Sequence, residues 1–556
     1  MCGIFFCARH VKDDSADLSD ICERLKHVNG ARGPDSQQTR LVSLTGSNGS
    51  NHAVLLDLFA SELRLRGSDP VVQPHEQSGD VFCWNGEIFD GMGIAMDEND
   101  GVKLFQDLRA LDAVEQVCVV ITSQATTQRI FFARDPLGRR SLLIHKPSPS
   151  NPYFLLASVS LGPDPRYEFQ ELSTEYVFCI ELGKLLNGTD IASTFDSCMT
   201  SFPRSAVVNA PYNQLGRINT TVPPDDLPLI TGVEIPPHLE PVVEDFIAHL
   251  DRSVGLRVCS IPQPHPGAAR VAVLFSGGID STVLAFLAHK HTPLDEPIDL
   301  LNVAFENPRK MNNKGAVQKK VKNEKPAANA PLLYMVPDRV TGLQELEELR
   351  RLCPRKWNFV EVNVPYEESQ AAHPLVESLM FPGRTVMDLS LAIALYFASK
   401  GEGVVRDHPN CEPVAYTSPA RVLLNGVGAD ELLGGYSRHR SAYGTGGWQA
   451  VIDELQLDID RIPSRNLGRD DRVISSHGKE TRHPFLSLTL VAFLAALPIH
   501  TKLDLRADAG VGDKALLRLA ARKMGLVDAS TRKKRAMQFG SHSARMEGEK
   551  RGDILI

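Results

Sequence analysis

The sequence predicts two folds in one chain: an antiparallel-sheet α+β domain first, then a doubly wound α/β domain built on a parallel sheet. Three observations carry this prediction. The first 180 or so residues hold short apolar runs separated by turn residues, which is the pattern of antiparallel strands. From Pro236 the pattern turns helical, and beyond it buried-strand runs alternate with helical stretches, as parallel sheets require. The chain has 556 residues, too many for one core.

The antiparallel runs are Val54 to Phe59, Asp80 to Trp84, Val117 to Thr122, Ile130 to Ala133, Tyr153 to Ala157 and Tyr176 to Ile180. Residues 186–235 are rich in Asn, Thr and Pro and are expected to run over the surface as a connector. A helix then places Val242, Val243, Phe246, Ile247, Leu250 and Val254 on one face. Strands are expected at Arg270 to Phe275, Asp299 to Phe305, Phe359 to Val364 and Arg421 to Leu424. The expected division is therefore a first domain over 2–185, a connector over 186–235 and a second domain over 236–545. Within the second, residues 309–325 carry seven Lys or Arg against one Glu. A run this short and without aromatics reads as a solvated loop.

Apolar residues make up 42% of the chain and its net charge is -8. This balance gives no reason to expect nucleic acid or an anionic membrane as partner. No apolar run reaches the ~18 to 20 residues of a membrane span. The first residues lack the basic-then-apolar order of a signal peptide. The ten cysteines are scattered without CxxC pairs, which suggests reduced thiols and a cytoplasmic protein.

Cys2 becomes the first residue once the initiator methionine is removed, and it then carries a nucleophile and a base together. The thiol ordinarily titrates near ~8.5 and the α-amine near ~7.7 to 8.0. An early cysteine alone is more often incidental. Later segments change that reading. Trp84-Asn85-Gly86-Glu87-Ile88-Phe89 breaks from an apolar strand into a turn, offering the Asn85 amide and the Gly86 N–H as oxyanion donors. Ala31-Arg32-Gly33-Pro34-Asp35 and Ala133-Arg134-Asp135-Pro136-Leu137-Gly138 are rigid turns. In this order behind Cys2 they resemble the class II glutamine amidotransferases, over about residues 2–185. The resemblance implies an N-terminal-nucleophile (Ntn) glutaminase domain with catalytic Cys2, Asn85 and Gly86. It also implies glutamine-binding residues among Arg64, Arg66, Glu87 and Asp100. Arg64 and Arg66 alternate onto the same strand face, so the grip on the glutamine carboxylate stays open between them.

In the second domain, Leu274-Phe275-Ser276-Gly277-Gly278-Ile279-Asp280-Ser281-Thr282 stands where a strand turns into a helix. The glycine pair lets the backbone curl and present N–H groups, with the hydroxyls of Ser276, Ser281 and Thr282, to an anion. Serine and glycine at a helix start also serve as plain caps, but the whole string resembles the pyrophosphate loop of the ATP-pyrophosphatases. A second loop, Asn425-Gly426-Val427-Gly428-Ala429-Asp430-Glu431-Leu432-Leu433-Gly434-Gly435-Tyr436, follows the fourth strand. Acidic residues at a helix start are favourable in themselves. Together with the first loop it resembles asparagine synthetase, and the likeness continues through Arg482-His483-Pro484-Phe485-Leu486 and Asp513-Lys514-Ala515-Leu516-Leu517-Arg518.

That resemblance implies an ATP site at Leu274, Ser276, Gly277, Gly278, Asp280, Ser281, Thr282, Gly426 and Lys514, with Lys514 on phosphate oxygens. It implies Mg2+ at Asp280 and Asp430, since a hard cation bridging phosphates prefers carboxylate oxygen. The substrates it implies are glutamine, aspartate and ATP, with ammonia released in the first domain and used in the second; a homodimer is compatible with it. Two positions depart from the pattern. The family glutamate between the loop glycines is Val427, which can neither accept a proton nor hold a cation, and the aspartate after Pro-Phe-Leu is Ser487. Two functions follow: a glutamine-dependent amidotransferase making asparagine or a related amide, or a glutaminase or interaction scaffold that has lost synthesis.

Overall fold

The first strand, β1 (Cys2–His10), is buried along its whole length because each of its faces is covered. In this computed structural model, which describes residues 2–45, 53–67, 71–95, 97–110, 121–124, 128–188, 190–204, 215–224, 226–232, 234–306, 333–408, 411–547 and 553–555, β1 lies inside an antiparallel sheet. The others of the first unit are β2 (Ser36–Thr45), β3 (Ala53–Glu62), β4 (His75–Gln77), β5 (Asp80–Cys83), β6 (Ile121–Gln124) and β7 (Arg129–Phe132). They continue as β8 (Leu143–His145), β9 (Tyr153–Ala157), β10 (Gln170–Glu171), β11 (Tyr176–Glu181) and β12 (Met199–Pro203). One six-stranded sheet runs β10-β8-β9-β1-β3-β2 and another runs β12-β11-β7-β6-β5-β4.

Strand alternation sorts the side chains into layers. Ile4, Phe6 and Ala8 of β1 join Val81 and Cys83 of β5 and Ile130 and Phe132 of β7 in the core between the sheets. Phe5 and Cys7 face the other way, against Leu18, Ile21, Cys22 and Leu25 of α1 (Ala16–Gly30). Phe82 and Trp84 pack on Leu104, Phe105 and Leu108 of α2 (Asp100–Ala110). The layers are therefore helix, sheet, sheet, helix.

The reading of 186–235 as a surface connector is corrected over 186–203; the described residues of 215–232 have no helix or strand. Residues Leu182–Asn187 and Ile191–Cys198 form helices α3 and α4, followed by β12. Their apolar side chains Leu182, Leu185, Leu186, Ile191, Phe195 and Cys198 recur at helical spacing and enter the inter-sheet core.

The boundary also differs from 2–185. The first compact unit comprises 1–215 with 377–383 and 461–480, and the second comprises 216–376, 384–460 and 481–556. Buried charge explains why late segments belong to the first unit. Asp471, fully buried, pairs with Arg32 at 2.7 Å and with Arg140 at 3.4 Å. Burial works against its charge, yet the two guanidiniums outweigh this and hold the carboxyl below its usual range. Removing one partner of such a pair costs about 3–5 kcal/mol. Asp471→Ala should lower the denaturant midpoint of unfolding accordingly; an unchanged midpoint would mean that Glu480, at 3.0 Å from Arg140, suffices.

The second unit is organised by β13 (Val271–Leu274), β14 (Ile298–Phe305), β15 (Trp357–Val364), β16 (Glu402–Val405), β17 (Val414–Thr417), β18 (Val422–Leu424) and β19 (Glu480–Arg482). Their order is β17-β16-β15-β14-β13-β18-β19. The four strands read from sequence, β13, β14, β15 and β18, pair in parallel. An antiparallel hairpin, β16 and β17, extends that sheet at β15. Helices α5 (Glu240–Val258) and α6 (Ile279–His291) pack together. Of the face expected on α5, Val243, Phe246, Leu250 and Val254 are buried. The sheet grows from β13 to either side, so its strand order reverses between β13 and β18. That reversal opens a crevice at the strands' carboxyl ends. The basic stretch 309–325 lies outside the described residues. Among the described residues no helix is long and apolar enough to cross a membrane.

Candidate active sites

Cys2 opens β1 opposite Glu62 of β3. Its backbone N–H donates to Asn85 Oδ1 at 3.0 Å. That bond orients the Asn85 amide and leaves its Nδ2 buried without a hydrogen-bond partner among the described residues. Gly86 follows, and a Cβ there would stand 2.6 Å from the Trp84 ring, so only glycine lets the turn close over the indole. The sequence reading missed Gln73. It is 3% exposed, accepts from Trp84 N at 2.8 Å and sends Nε2 to within 3.4 Å of Cys2 Sγ. Nothing in its sequence context beyond the following Pro74 marks it. Arg32 also reaches this site, donating from Nε to the Cys2 carbonyl at 3.3 Å. Burial pushes the Cys2 thiol up to about 11, so at neutral pH it rests as a thiol rather than a thiolate.

Strand β3 ends at Glu62, so Arg64 and Arg66 do not share a strand face as expected. The two are told apart by their surroundings. Arg66 is buried and bonded to Glu87 at 2.7 Å, with a further bond to the Ile88 carbonyl at 3.2 Å. Arg64 is half-buried, and its backbone N–H donates to Asp35 at 2.7 Å. Asp100 accepts from Ile88 N at 2.9 Å, Trp84 Nε1 at 3.4 Å and Gly101 N at 2.9 Å. Burial raises its carboxyl above the usual range. Asp100, Arg66 and Glu87 therefore brace the turn that carries Asn85 and Gly86. The turn at Arg134 braces itself, with Arg134 donating to the Gly138 carbonyl at 2.6 Å.

In the second unit the loops after β13 and β18 meet. Gly277 is left-handed (φ 74°), and a Cβ there would lie 2.4 Å from Gly342 N. The hydroxyls of Ser281 and Thr282 do not point out at an anion as expected. Both donate to the Gly278 carbonyl, at 3.1 and 3.0 Å, closing the first turn of α6. Ser276 Oγ accepts from Gly278 N at 3.3 Å.

Asp280 and Asp430 converge on one ammonium. Lys514 Nζ lies 2.7 and 2.6 Å from the Asp280 oxygens and 2.7 Å from Asp430 Oδ1. Lys514 itself is left-handed at φ 53°, ψ 34°, at the start of helix Ala515–Lys523. Burial opposes the charge of Asp430, but Lys514 and Lys534 overcome this and hold its carboxyl well below the usual range. Lys534, absent from the sequence reading, pairs with Asp430 Oδ2. Its signal was a run of cations, Arg532 to Arg535, that reads as ordinary solvated charge. Two glycines make room for this cluster. A Cβ on Gly426 would stand 2.9 Å from Asp280 Cβ, and one on Gly435 would collide with Asp430 and Lys514. Among the described residues no group of three or more His, Cys, Asp or Glu forms a metal site, so any cation here would rest on this pair of carboxylates and a ligand's own oxygens.

Val427, beside the cluster, is half-buried and its N–H donates to Asn425 Oδ1 at 3.1 Å. Glu431 is no free substitute for a carboxylate at that position: it accepts from Tyr436 Oη at 2.6 Å and from Gly428 N at 2.9 Å. Burial, then Asp430, raises its carboxyl.

A helix–sheet–sheet–helix unit with a buried N-terminal cysteine, joined to a parallel-sheet unit with a glycine-lined carboxylate and lysine cluster, describes a class of two-site protein. The model of the Asparagine synthase family matches residues 267–329 and 443–553, which include both Asp280 and Lys514. Asparagine synthetase domain-containing protein 1 of Gallus gallus is 34% identical over 98% of this chain and 98% of its own length. The protein of that name from Homo sapiens is 35% identical over 98% and 95%. An asparagine synthetase domain-containing protein of Saccharomyces cerevisiae is 31% identical over 97% and 92%. The chain belongs to the family of asparagine synthetase domain-containing proteins.

Proposed function

We propose that the protein is a glutamine-dependent amidotransferase of the asparagine synthetase kind, acting in the cytoplasm. Its first unit, read as an Ntn-type glutaminase, hydrolyses glutamine to ammonia. Its second, read as an ATP-pyrophosphatase, adenylates aspartate and yields asparagine, AMP and diphosphate. The observation that carries the reading is the meeting of Asp280, Asp430 and Lys514 in a cradle of glycines at the reversal point of a parallel sheet.

Once the initiator methionine is gone, the Cys2 nitrogen is an amine placed by Asn85. It takes the thiol proton as sulfur attacks the glutamine amide, and Asn85 Nδ2 with the Gly86 N–H holds the oxyanion. In the second unit Asp280 and Asp430 are the residues that would hold Mg2+, which supplies charge neutralisation on the phosphates. The glycines keep the backbone close to the nucleotide.

Val427 supports a second reading, a glutaminase that has lost synthesis, because no carboxylate stands there to take a proton from attacking ammonia. The test is glutamine-dependent release of AMP in the presence of aspartate. Val427→Glu should raise asparagine formation, since general base catalysis contributes ~100- to 10,000-fold. Full synthesis by the wild-type protein with no gain in Val427→Glu would discard the second reading. AMP release by neither form would discard the first.

A further inference from the structure

We propose that Cys259 is a reactive thiol, primed by His291 and Asp251, which a low-molecular-weight disulfide converts to a mixed disulfide. The three residues stand where the carboxyl-terminal half of α5 meets the end of α6. Asp251, Gly255 and Cys259 are spaced by four, so they follow one another along one face of α5 and its cap, and His291 is the last residue of α6.

The imidazole lies along that face. Its Nε2 is 3.0 Å from Asp251 Oδ1. A Cβ on Gly255 would stand 2.9 Å from His291 Cε1, 3.0 Å from Nδ1 and 3.2 Å from Nε2, so the ring edge that bears both nitrogens covers the glycine. With Nε2 turned back to Asp251, Nδ1 is left on the side of the next turn, where the Cys259 thiol is the ring's other hydrogen-bond partner. Glycine inside a helix is poorer than alanine; here its missing side chain is the space that the ring fills. Nucleophile, base and orienting carboxylate therefore stand in line, the arrangement that activates a thiol.

The charges agree with that order. Cys259 raises the imidazole above its usual range, burial works against this, and Asp251 adds to it. Lys290 shares Asp251 at 3.0 Å and keeps the carboxylate ionised. Access separates Cys259 from most of its kind: it and Cys411 are exposed, while the other seven described cysteines are buried. Helix α6 begins at the glycine-rich loop and ends at His291, ~16 Å along its axis from Asp280, so the thiol is reached without entering the carboxylate cluster. Neither catalytic reading is needed for it.

In the reaction His291 Nδ1 takes the thiol proton, the Cys259 sulfur attacks one sulfur of the disulfide, and that S–S bond breaks as the new one forms. The departing thiolate takes the proton from the imidazolium and leaves as a thiol. Cys259 is oxidised and the other half of the reagent is reduced, so no further oxidant enters.

The full-length protein would be incubated with glutathione disulfide across pH 6 to 9, and thiolation followed by mass spectrometry of tryptic peptide 258–270, whose single cysteine is Cys259. Peptide 407–421 carries Cys411 and reports an exposed thiol of the same molecule. At pH 6.5 an ordinary thiol that titrates near ~8.5 is about 1% thiolate. Cys259, held as a thiolate by His291, should react at least about tenfold faster than Cys411 there. His291→Gln should bring it within about twofold of Cys411, with a rate that rises only through ~8.5. Asp251→Asn and Gly255→Ala leave thiol and imidazole in place; their rates should fall between those two and their profiles should move towards that of His291→Gln. Equal melting temperatures show that the fold is intact, and the wild-type profile decides alone where a variant does not fold. Equal rates for Cys259 and Cys411 in the wild-type protein overturn the proposal, and so does a Cys259 rate and profile unmoved in His291→Gln.

Discussion

Cys2→Ala abolishes glutamine hydrolysis, and Asn85→Ala lowers it ~100- to 1000-fold, the usual cost of one oxyanion donor. Steady-state ammonia release from glutamine measures both. The two differ in kind because the first removes the nucleophile and the second removes the buried Nδ2 that has no other partner among the described residues. The pH profile adds a check of sign. Burial pushes the thiol up, to about 11 while the initiator methionine is still attached. A free α-amine must be uncharged to accept the proton. The rate constant kcat/KM should therefore rise through about pH 7 to 8, where such an amine loses its charge. A profile that rises only above pH 10 would make the thiolate itself the resting nucleophile, and wild-type hydrolysis in Cys2→Ala would remove Cys2 from the site.

Asp280→Ala should weaken ATP binding in the presence of magnesium by at least ~100-fold, since a metal's charge at a phosphoryl oxygen is worth several kcal/mol. Without magnesium the sign reverses. Loss of one carboxylate leaves Lys514 and Lys534 facing Asp430 alone, so the cluster becomes net positive and metal-free ATP should bind no worse than before. Calorimetry with and without the metal reads both. Glutamine hydrolysis should persist in the variant. Unchanged affinity for ATP with magnesium would place the metal elsewhere.

Much of this was legible in the sequence, for reasons that differ by region. The parallel strands declared themselves as short segments rich in Val, Leu and Phe, and the loops after β13 and β18 each carried a glycine two residues ahead of an acid. Strand β1 was not foreseen as a strand, because burial on both faces erases the alternation by which strands are read. Strand β2 escaped for the opposite reason: Gln37 to Arg40 is polar and exposed, and pairing with β3 rather than side-chain burial defines it. Gln73, Asp471 and Lys534 could not be read because each acts through a partner distant in sequence. Asp471 meets Arg32 across 439 positions. That the Ser281 and Thr282 hydroxyls donate to the Gly278 carbonyl was not read, because a helix start offers such side chains a local backbone acceptor.

The left-handed backbone of Lys514 has a consequence for how the second unit can be watched. For a side chain with a Cβ, that conformation costs about 1 kcal/mol or more. Here it is sustained by an ammonium drawn to Asp280 and Asp430 and by the Lys514 N–H bond to the Leu433 carbonyl at 3.1 Å. The residue is thus a spring held under load by electrostatics. Whatever draws those carboxylates away slackens the hold, and the backbone at 514 is where the release is felt first. Its amide proton is a built-in gauge of the charge in the site, readable by deuterium uptake without a label, a turnover or a known acceptor.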